Sequence, residues 1–374
     1  MKNAKVALCT ETIYPLYGVE KRVYEMAKRL PKYGFDVDVF TSTAKEKLLD
    51  INIIQVSAPT IINPPKRNYA FCLSYLFNLY KKIVKENKIK KYDIVDANGH
   101  LSLIPCYLAA KQIKKPIIAT IHDLYLLEWY DMYSGKAAIL GLPFEIASAK
   151  LPYDRILTLN SSLKRKMIKI LGIPENKVEV LQSGIDVRYL DKIKSKKKEK
   201  TILYVGRLVP QKSVDTLIKA YSLLPNEIKE DYKLKIVGEG NQKEYLERLA
   251  KKLNIKNIVF TGKIERHEDV VKEIKKASVF VLPSQRESFG ITVLEAMASG
   301  TPVVSTATEG PSDYIKNGEN GFLAEIGSPE SIAGSIEKAI SAGKRIVINA
   351  RKTAIQYDWD KIVKRIAREY EKLM

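Results

Sequence analysis

Cysteine and histidine are scarce: the 374 residues hold three of each, the cysteines being Cys9, Cys72 and Cys106. The cysteines are odd in number, far apart and set in apolar context, which argues against a disulfide framework or a zinc site. No apolar run reaches the roughly 18 residues that a membrane span needs. The opening residues MKNAKVALCT have neither the long apolar core nor the cleavage site of a signal peptide, so a cytoplasmic location is expected. A dinucleotide fold would place G-x-G-x-x-G after the first strand, where only Gly18 stands. GRLVPQKS, Gly206 to Ser213, misses a P-loop by one residue, because Gln211 replaces the glycine that lets backbone wrap a phosphate. Pro210 stiffens that turn further, and a P-loop NTPase is disfavoured. No repeat of about 20 to 50 residues and no zinc-finger or RRM signature is evident.

What is present is the composition of a soluble globular protein, 45% hydrophobic and 28% charged, long enough for two domains. The net charge of +20 calls for an anionic partner: nucleic acid, an anionic membrane surface or a phosphorylated small molecule. Residues 1–186 carry 28 basic and 18 acidic side chains and the remainder 35 and 25, so each half is +10. A nucleic-acid module concentrates its charge on one element, and this even spread disfavours one.

Short apolar runs alternate with helical patterns along the chain, the signature of parallel α/β sheets. Strands are expected at Lys5–Cys9, Phe35–Phe40, Tyr92–Asn98, Pro116–Ile121, Arg155–Asn160 and Lys177–Val180. After a lysine-rich boundary, Leu181 to Lys200, a second set follows at Thr201–Val205, Lys233–Val237, Ile258–Thr261 and Val279–Leu282. Asp36-Val37-Asp38 matches a D-x-D metal motif only superficially, since alternation makes it a half-buried strand with outward carboxylates. Asp358-Trp359-Asp360 instead suits the N-terminus of the last helix, and no metal site is expected. Three basic and aromatic segments, Tyr69–Lys91, Leu124–Tyr133 and Ser161–Leu171, read as core helices with basic ends or as surfaces for an anionic bilayer.

The stretch Ser278 to Pro302, SVFVLPSQRESFGITVLEAMASGTP, reads as strand, loop and helix, with Glu287 in the loop and Glu295 one turn into the helix. Gly300 and Pro302 end that helix. A helix N-terminus past the carboxyl end of a parallel strand is an anion site, and phosphate would fit at Phe289, Gly290 and Ile291. The carboxylates can accept hydrogen bonds from sugar hydroxyls, although a solvated loop glutamate and a surface helix glutamate satisfy the spacing equally. Arg207 and Lys212 are two cations at a strand-to-helix turn, suited to a diphosphate or merely exposed. His122 stands at a strand end beside Asp123, placed for chemistry or for a structural hydrogen bond. The glycines of Gly238-Glu239-Gly240 and the turn Gly262-Lys263-Ile264 face the same sheet edge.

Taken together, ESFGITVLEAMASGTPVV with Glu287-x7-Glu295, GRLVPQK after a strand, VGEG, FTGKI and HD resemble the family 4 glycosyltransferases over essentially the whole chain. The resemblance implies the GT-B architecture: two Rossmann-like, doubly wound parallel-sheet α/β domains facing a central cleft, with a C-terminal helix crossing back. The expected divisions are 1–185 for the acceptor, 186–355 for the nucleotide sugar, and 356–374 for the helix on the N-terminal domain. It implies that Glu295 binds ribose hydroxyls and that Glu287 contacts the transferred sugar. Phe289, Gly290 and Ile291 would offer backbone N–H groups, Arg207 and Lys212 with Gly206 would hold the diphosphate, and Gly238, Lys263 and Ile264 would border the nucleoside. His122 would face the transferred sugar and Gly18 the phosphates, with Tyr17 and Asp123 toward the acceptor. The chain departs from the family where Tyr17 replaces the first of two glycines, Ser183 an asparagine, and Pro311 the second glycine of a pair.

The implied reaction is retaining transfer of a sugar from a nucleoside-diphosphate sugar to an acceptor hydroxyl on a glycan, glycolipid or lipid-linked saccharide, without metal or other cofactor. Preorganised cations would stabilise the leaving diphosphate, and same-face attack needs no carboxylate base, unlike the paired carboxylates of a retaining glycosidase. The alternatives are a nucleotide-sugar epimerase of similar architecture, which would need no acceptor, and a non-catalytic, membrane-associated sugar-nucleotide binding protein. Read as bilayer surfaces, the basic segments would put the cytoplasmic chain on the inner face of the cell membrane as a peripheral protein.

Overall fold

The computed structural model describes residues 3–13, 18–44, 50–56, 69–126, 136–195 and 198–374. In chain order its strands are β1 (Ala4–Cys9), β2 (Thr12–Ile13), β3 (Phe35–Thr41), β4 (Thr43–Ala44), β5 (Asn52–Gln55), β6 (Ile94–Asn98), β7 (Ile117–Ile121), β8 (Arg155–Thr158) and β9 (Val178–Val180). They are followed by β10 (Glu199–Val205), β11 (Lys233–Val237), β12 (Ile258–Gly262), β13 (Ala277–Leu282), β14 (Val303–Thr306) and β15 (Phe322–Ala324). Two parallel sheets result, seven strands in the order β5-β3-β1-β6-β7-β8-β9 and six in the order β12-β11-β10-β13-β14-β15. β2 and β4 form a separate parallel pair. Both large sheets are Rossmann-like, with helices between most successive strands.

The chain divides into two compact units, Met1–Ser183 with Asp360–Met374, and Gly184–Trp359. In the first, every residue of β6 and β7 is buried, as expected of central parallel strands covered on both faces. The same coverage overturns one expectation. Asp36 is exposed, but Asp38 is buried, accepting hydrogen bonds from Lys90 (2.7 Å), Tyr92 (2.5 Å) and Asn52. Alternation predicts an outward carboxylate only where one face is solvated, and here helix Tyr69–Lys90 and its following turn cover that face. Leu73 and Phe77 on this helix are exposed, and Lys81 sits 4.0 Å above the Phe77 ring. Among the described residues no helix is long and apolar enough to cross a membrane.

The last helix, Trp359–Glu371, is bound into the first unit beyond its start. Asp360 accepts from the Arg29 Nε at 3.0 Å, Arg155 pairs with Glu369 at 2.9 Å, and Tyr370 meets Phe35 edge-on. Tyr370 also donates to Asp96 at 2.5 Å, while Asn98 donates to the other carboxylate oxygen at 2.9 Å. Burial pushes the Asp96 carboxyl up to about 6, against the opposing pull of the Tyr370 hydrogen bond, the Arg22 guanidinium and the Asn98 amide. An unfolded aspartate titrates near 3.9, so between about pH 4 and 6 the folded chain holds more protons than the unfolded one. The contribution of this group is therefore complete below about pH 4 and lost as pH rises through 6, a change of roughly 3 kcal/mol. Asp96→Asn does not titrate. Its unfolding free energy relative to wild type should rise by that amount between pH 4 and 7, and a difference that is flat with pH in urea titrations would refute the assignment.

Candidate functional site

In the second unit β10 is flanked by β11 on one side and β13 on the other, so the strand order reverses between β10 and β13. Ligands of open α/β sheets bind at such a point, beyond the carboxyl ends of the strands. Gly206 to Ser213 leaves β10 there, with Pro210–Lys212 forming a single 3-10 turn before helix Val214–Leu223. The loop after β13 lies beside it, Gln285 N–H donating to the Gln211 carbonyl at 2.9 Å. Lys212 Nζ stands 2.6 Å from Glu287 Oε2, and Glu287 Oε1 accepts from the Gly290 N–H at 3.2 Å. One carboxylate thus joins a cation from the first loop to the start of helix Ile291–Ala298. Arg207 is exposed at the same edge, its carbonyl held by the buried Tyr204 hydroxyl at 2.9 Å.

Gly290 precedes the helix with φ +81°, a left-handed conformation that favours glycine. Tyr314, which the sequence reading did not single out, donates from its hydroxyl to the carbonyls of Phe289 (2.9 Å) and Gly290 (3.2 Å) and packs edge-on against Phe289. Burial pushes its hydroxyl pKa well above the ordinary phenol value, so it stays a donor. The amides at this helix start are consequently fixed in direction, and the first N–H groups of a helix have no partner within it.

The loop after β11 presses against the one after β10. Gly206 N–H donates to Val237 O at 3.0 Å, Leu208 N–H to Glu239 O at 2.8 Å, and Gly238 N–H to Gly262 O at 2.9 Å. A Cβ on Gly238, where φ is +143°, would lie 1.8 Å from the Gly206 carbonyl oxygen, and one on Gly240 2.1 Å from that of Leu208. The weak sequence signal of two glycines in GEG has this steric cause. Lys263 is exposed and paired with Glu265 at 2.8 Å, and Ile264 is half-buried. Glu295 is only 3% exposed, with Oε1 3.0 Å from Nε2 of His267, which excludes the alternative of a surface helix glutamate. His267 is one of three histidines, and no motif marked it. Lys212, Glu287, Gly290 and the Gly206–Gly238 contact are thus brought to one sheet edge, with Glu295 on the helix that starts there.

In the first unit the order reverses between β1 and β6. His122, just past β7, has its Nε2 buried with no hydrogen-bond partner among the described residues. Burial, then the Arg22 guanidinium and His100, holds this imidazole well below its usual range, so it is neutral near pH 7. Arg22 is fully buried, donates to the Gln182 carbonyl at 2.5 Å and is lowered by burial to about 10, which leaves it charged. Asp123 accepts from the Leu124 N–H at 2.9 Å, and the buried Glu145 accepts from Tyr125 (2.9 Å) and Leu126 (2.7 Å), shaping the loop after His122. Gly18 opens helix Gly18–Arg29, and an added Cβ there would meet no described atom within 4 Å. Tyr17 lies outside the described residues.

Comparison with known proteins agrees with this architecture. Residues 188–357 match the family described as Glycosyl transferases group 1, and residues 17–189 match Glycosyltransferase Family 4. An uncharacterized glycosyltransferase of Haemophilus influenzae is 33% identical over 342 residues, covering 87% of each chain. The capsular polysaccharide biosynthesis glycosyltransferase CapM of Staphylococcus aureus is 30% identical, covering 91% of this chain and 89% of that one. Among solved structures, Anabaena HepE in complex with UDP superposes with a TM-score of 0.79 at 20% identity, covering 99% of this chain and all of the other, a likeness of fold.

Proposed function

We propose a donor and a mechanism for this chain, which belongs to the family 4 glycosyltransferases of the GT-B architecture. It moves a hexose or related sugar from a nucleoside-diphosphate sugar to a hydroxyl of a glycan, glycolipid or lipid-linked saccharide, retaining the anomeric configuration. The observation that carries the donor reading is the Lys212–Glu287–Gly290 connection at the reversal point of the second sheet. It joins a cation for phosphate, a carboxylate for sugar hydroxyls and the start of a helix within one hydrogen-bonded group.

In the reaction the bond from the anomeric carbon to the diphosphate oxygen breaks as a bond to the acceptor oxygen forms on the same face. The acceptor's proton passes to the departing phosphate oxygen. Negative charge grows on the diphosphate, and Arg207, Lys212 and the amides of Phe289 and Ile291 stabilise it, joined by the Gly290 amide once Glu287 turns from it to the sugar. No metal is assigned a part. Glu287 orients the sugar and Glu295 the ribose, while the sugar-facing role of His122, a neutral imidazole, rests on the family resemblance. Gly206, Gly238, Lys263 and Ile264 shape the nucleoside side. The acceptor reading for Asp123 and the inner-membrane location rest on the sequence alone.

A panel of UDP-, GDP- and ADP-sugars tests the donor reading by thermal shift and by slow hydrolysis. A bound member raises the melting temperature by mass action, and silence from all of them counts against it. Glu295→Ala should weaken binding of the responding donor about tenfold, within the range for a lost charge-assisted hydrogen bond, while kcat changes less. An unchanged dissociation constant would remove Glu295 from the site.

A further inference from the structure

Glu295 is a carboxylate on a helix whose other buried residues are Val293, Leu294, Ala296, Met297 and Ala298. Carboxylates in such surroundings are costly unless their oxygens are engaged. One oxygen is engaged by His267 Nε2 at 3.0 Å. An ionised carboxylate only accepts, so Nε2 carries the hydrogen in this contact. His267 is the first residue of helix His267–Lys276, four residues past Lys263 in the turn that leaves β12. Its ring lies flat on Tyr189, with centroids 5.6 Å apart and planes 12° from parallel. The backbone of Tyr189 is held where its N–H donates to Asp186 at 2.8 Å in the cap of helix Val187–Lys192. Stacking sets the plane of the imidazole, and its hydrogen bonds lie in that plane, so the ring edge is directed at Glu295.

We infer that His267 is a positioning residue for the donor's ribose, holding the Glu295 carboxylate in the orientation that receives the ribose hydroxyls. The inference rests on the donor-site reading above and deepens it. His267 does not touch the donor in this arrangement. It removes the rotational freedom of the Glu295 side chain before the donor arrives, so less ordering is left to be done on binding. It also ties the helix that bears Glu295 to the turn of Lys263 and Ile264, placing ribose and base contacts in a common frame.

Isothermal titration of the full chain with UDP, GDP and ADP tests the assignment. For the diphosphate that binds wild type, His267→Ala should raise the dissociation constant about tenfold, and His267→Gln, which keeps an N–H donor, should recover most of the loss. The 2′,3′-dideoxy form of the same diphosphate should bind His267→Ala and wild type within about twofold, because its ribose makes no use of Glu295. A merely structural role would penalise both nucleotides alike, and that result overturns the inference. Tenfold weakening by Glu295→Ala beside full affinity in His267→Ala overturns it while leaving the donor site standing. Failure of all three diphosphates to bind wild type overturns the donor reading and this inference together.

Discussion

Lys212→Ala should lower kcat by about 10²- to 10³-fold, with a smaller rise in donor KM. The cation loses its effect chiefly in the transition state, where the leaving diphosphate carries more negative charge than the bound donor does. The structure adds a second cause. Lys212 is the cation 2.6 Å from Glu287, so its removal also leaves that partly buried carboxylate uncompensated beside the proposed phosphate position. The two causes separate in a double mutant: Glu287→Gln introduced into Lys212→Ala should recover part of the lost turnover while impairing the wild-type background. Arg207, exposed at the same edge, should show a smaller loss on replacement by alanine because solvent screens it. Single-turnover measurements with the responding donor would report these ratios. A Lys212→Ala enzyme within threefold of wild type would show that the diphosphate leaves elsewhere.

Gly238→Ala should destabilise the second unit by about 4 kcal/mol or more and abolish the donor-induced thermal shift. Two effects coincide at this position. A φ of +143° is outside the range that L side chains ordinarily adopt, and the added Cβ would fall 1.8 Å from the Gly206 carbonyl oxygen. Relief requires the loops after β10 and β11 to part, which breaks the Leu208–Glu239 and Gly206–Val237 hydrogen bonds and displaces Arg207. Gly334 is the control. It sits inside helix Pro329–Ile340 with open space around its would-be Cβ, so Gly334→Ala should stabilise by about 0.5–1 kcal/mol. Guanidinium titrations of both variants would settle the contrast. Wild-type stability in Gly238→Ala would mean that the loops yield without cost.

Much of the architecture was legible because parallel sheets impose a simple pattern. Val279 to Leu282 and Ile117 to Ile121 are short apolar runs, Lys233 to Val237 alternates lysine with apolar residues up to Gly238, and each is an interior strand. The shorter edge elements were harder. β5, NIIQ, and β15, FLA, carry too few residues for a period to show, and neighbouring strands pull them into the sheet. Asp38 was misjudged for the reverse reason, its covering residues being remote in sequence. The site was legible where chain spacing and spatial spacing coincide. Glu287 and Gly290 are three residues apart and bonded to each other, whereas Lys212 reaches Glu287 across 75 residues and His267 reaches Glu295 across 28.

Apolar runs, breakers and their alternation were enough, from the amino-acid order alone, to specify two sets of parallel α/β elements and the helix that begins at Ile291. These are local consequences of hydrophobic periodicity and of what glycine and proline permit in the backbone. Which side chains face one another was decided in three dimensions. Parallel strands align the carboxyl ends of β10 to β13, so loops far apart in the chain become neighbours, and Lys212, Tyr314 and His267 acquire partners that no spacing in the sequence announces.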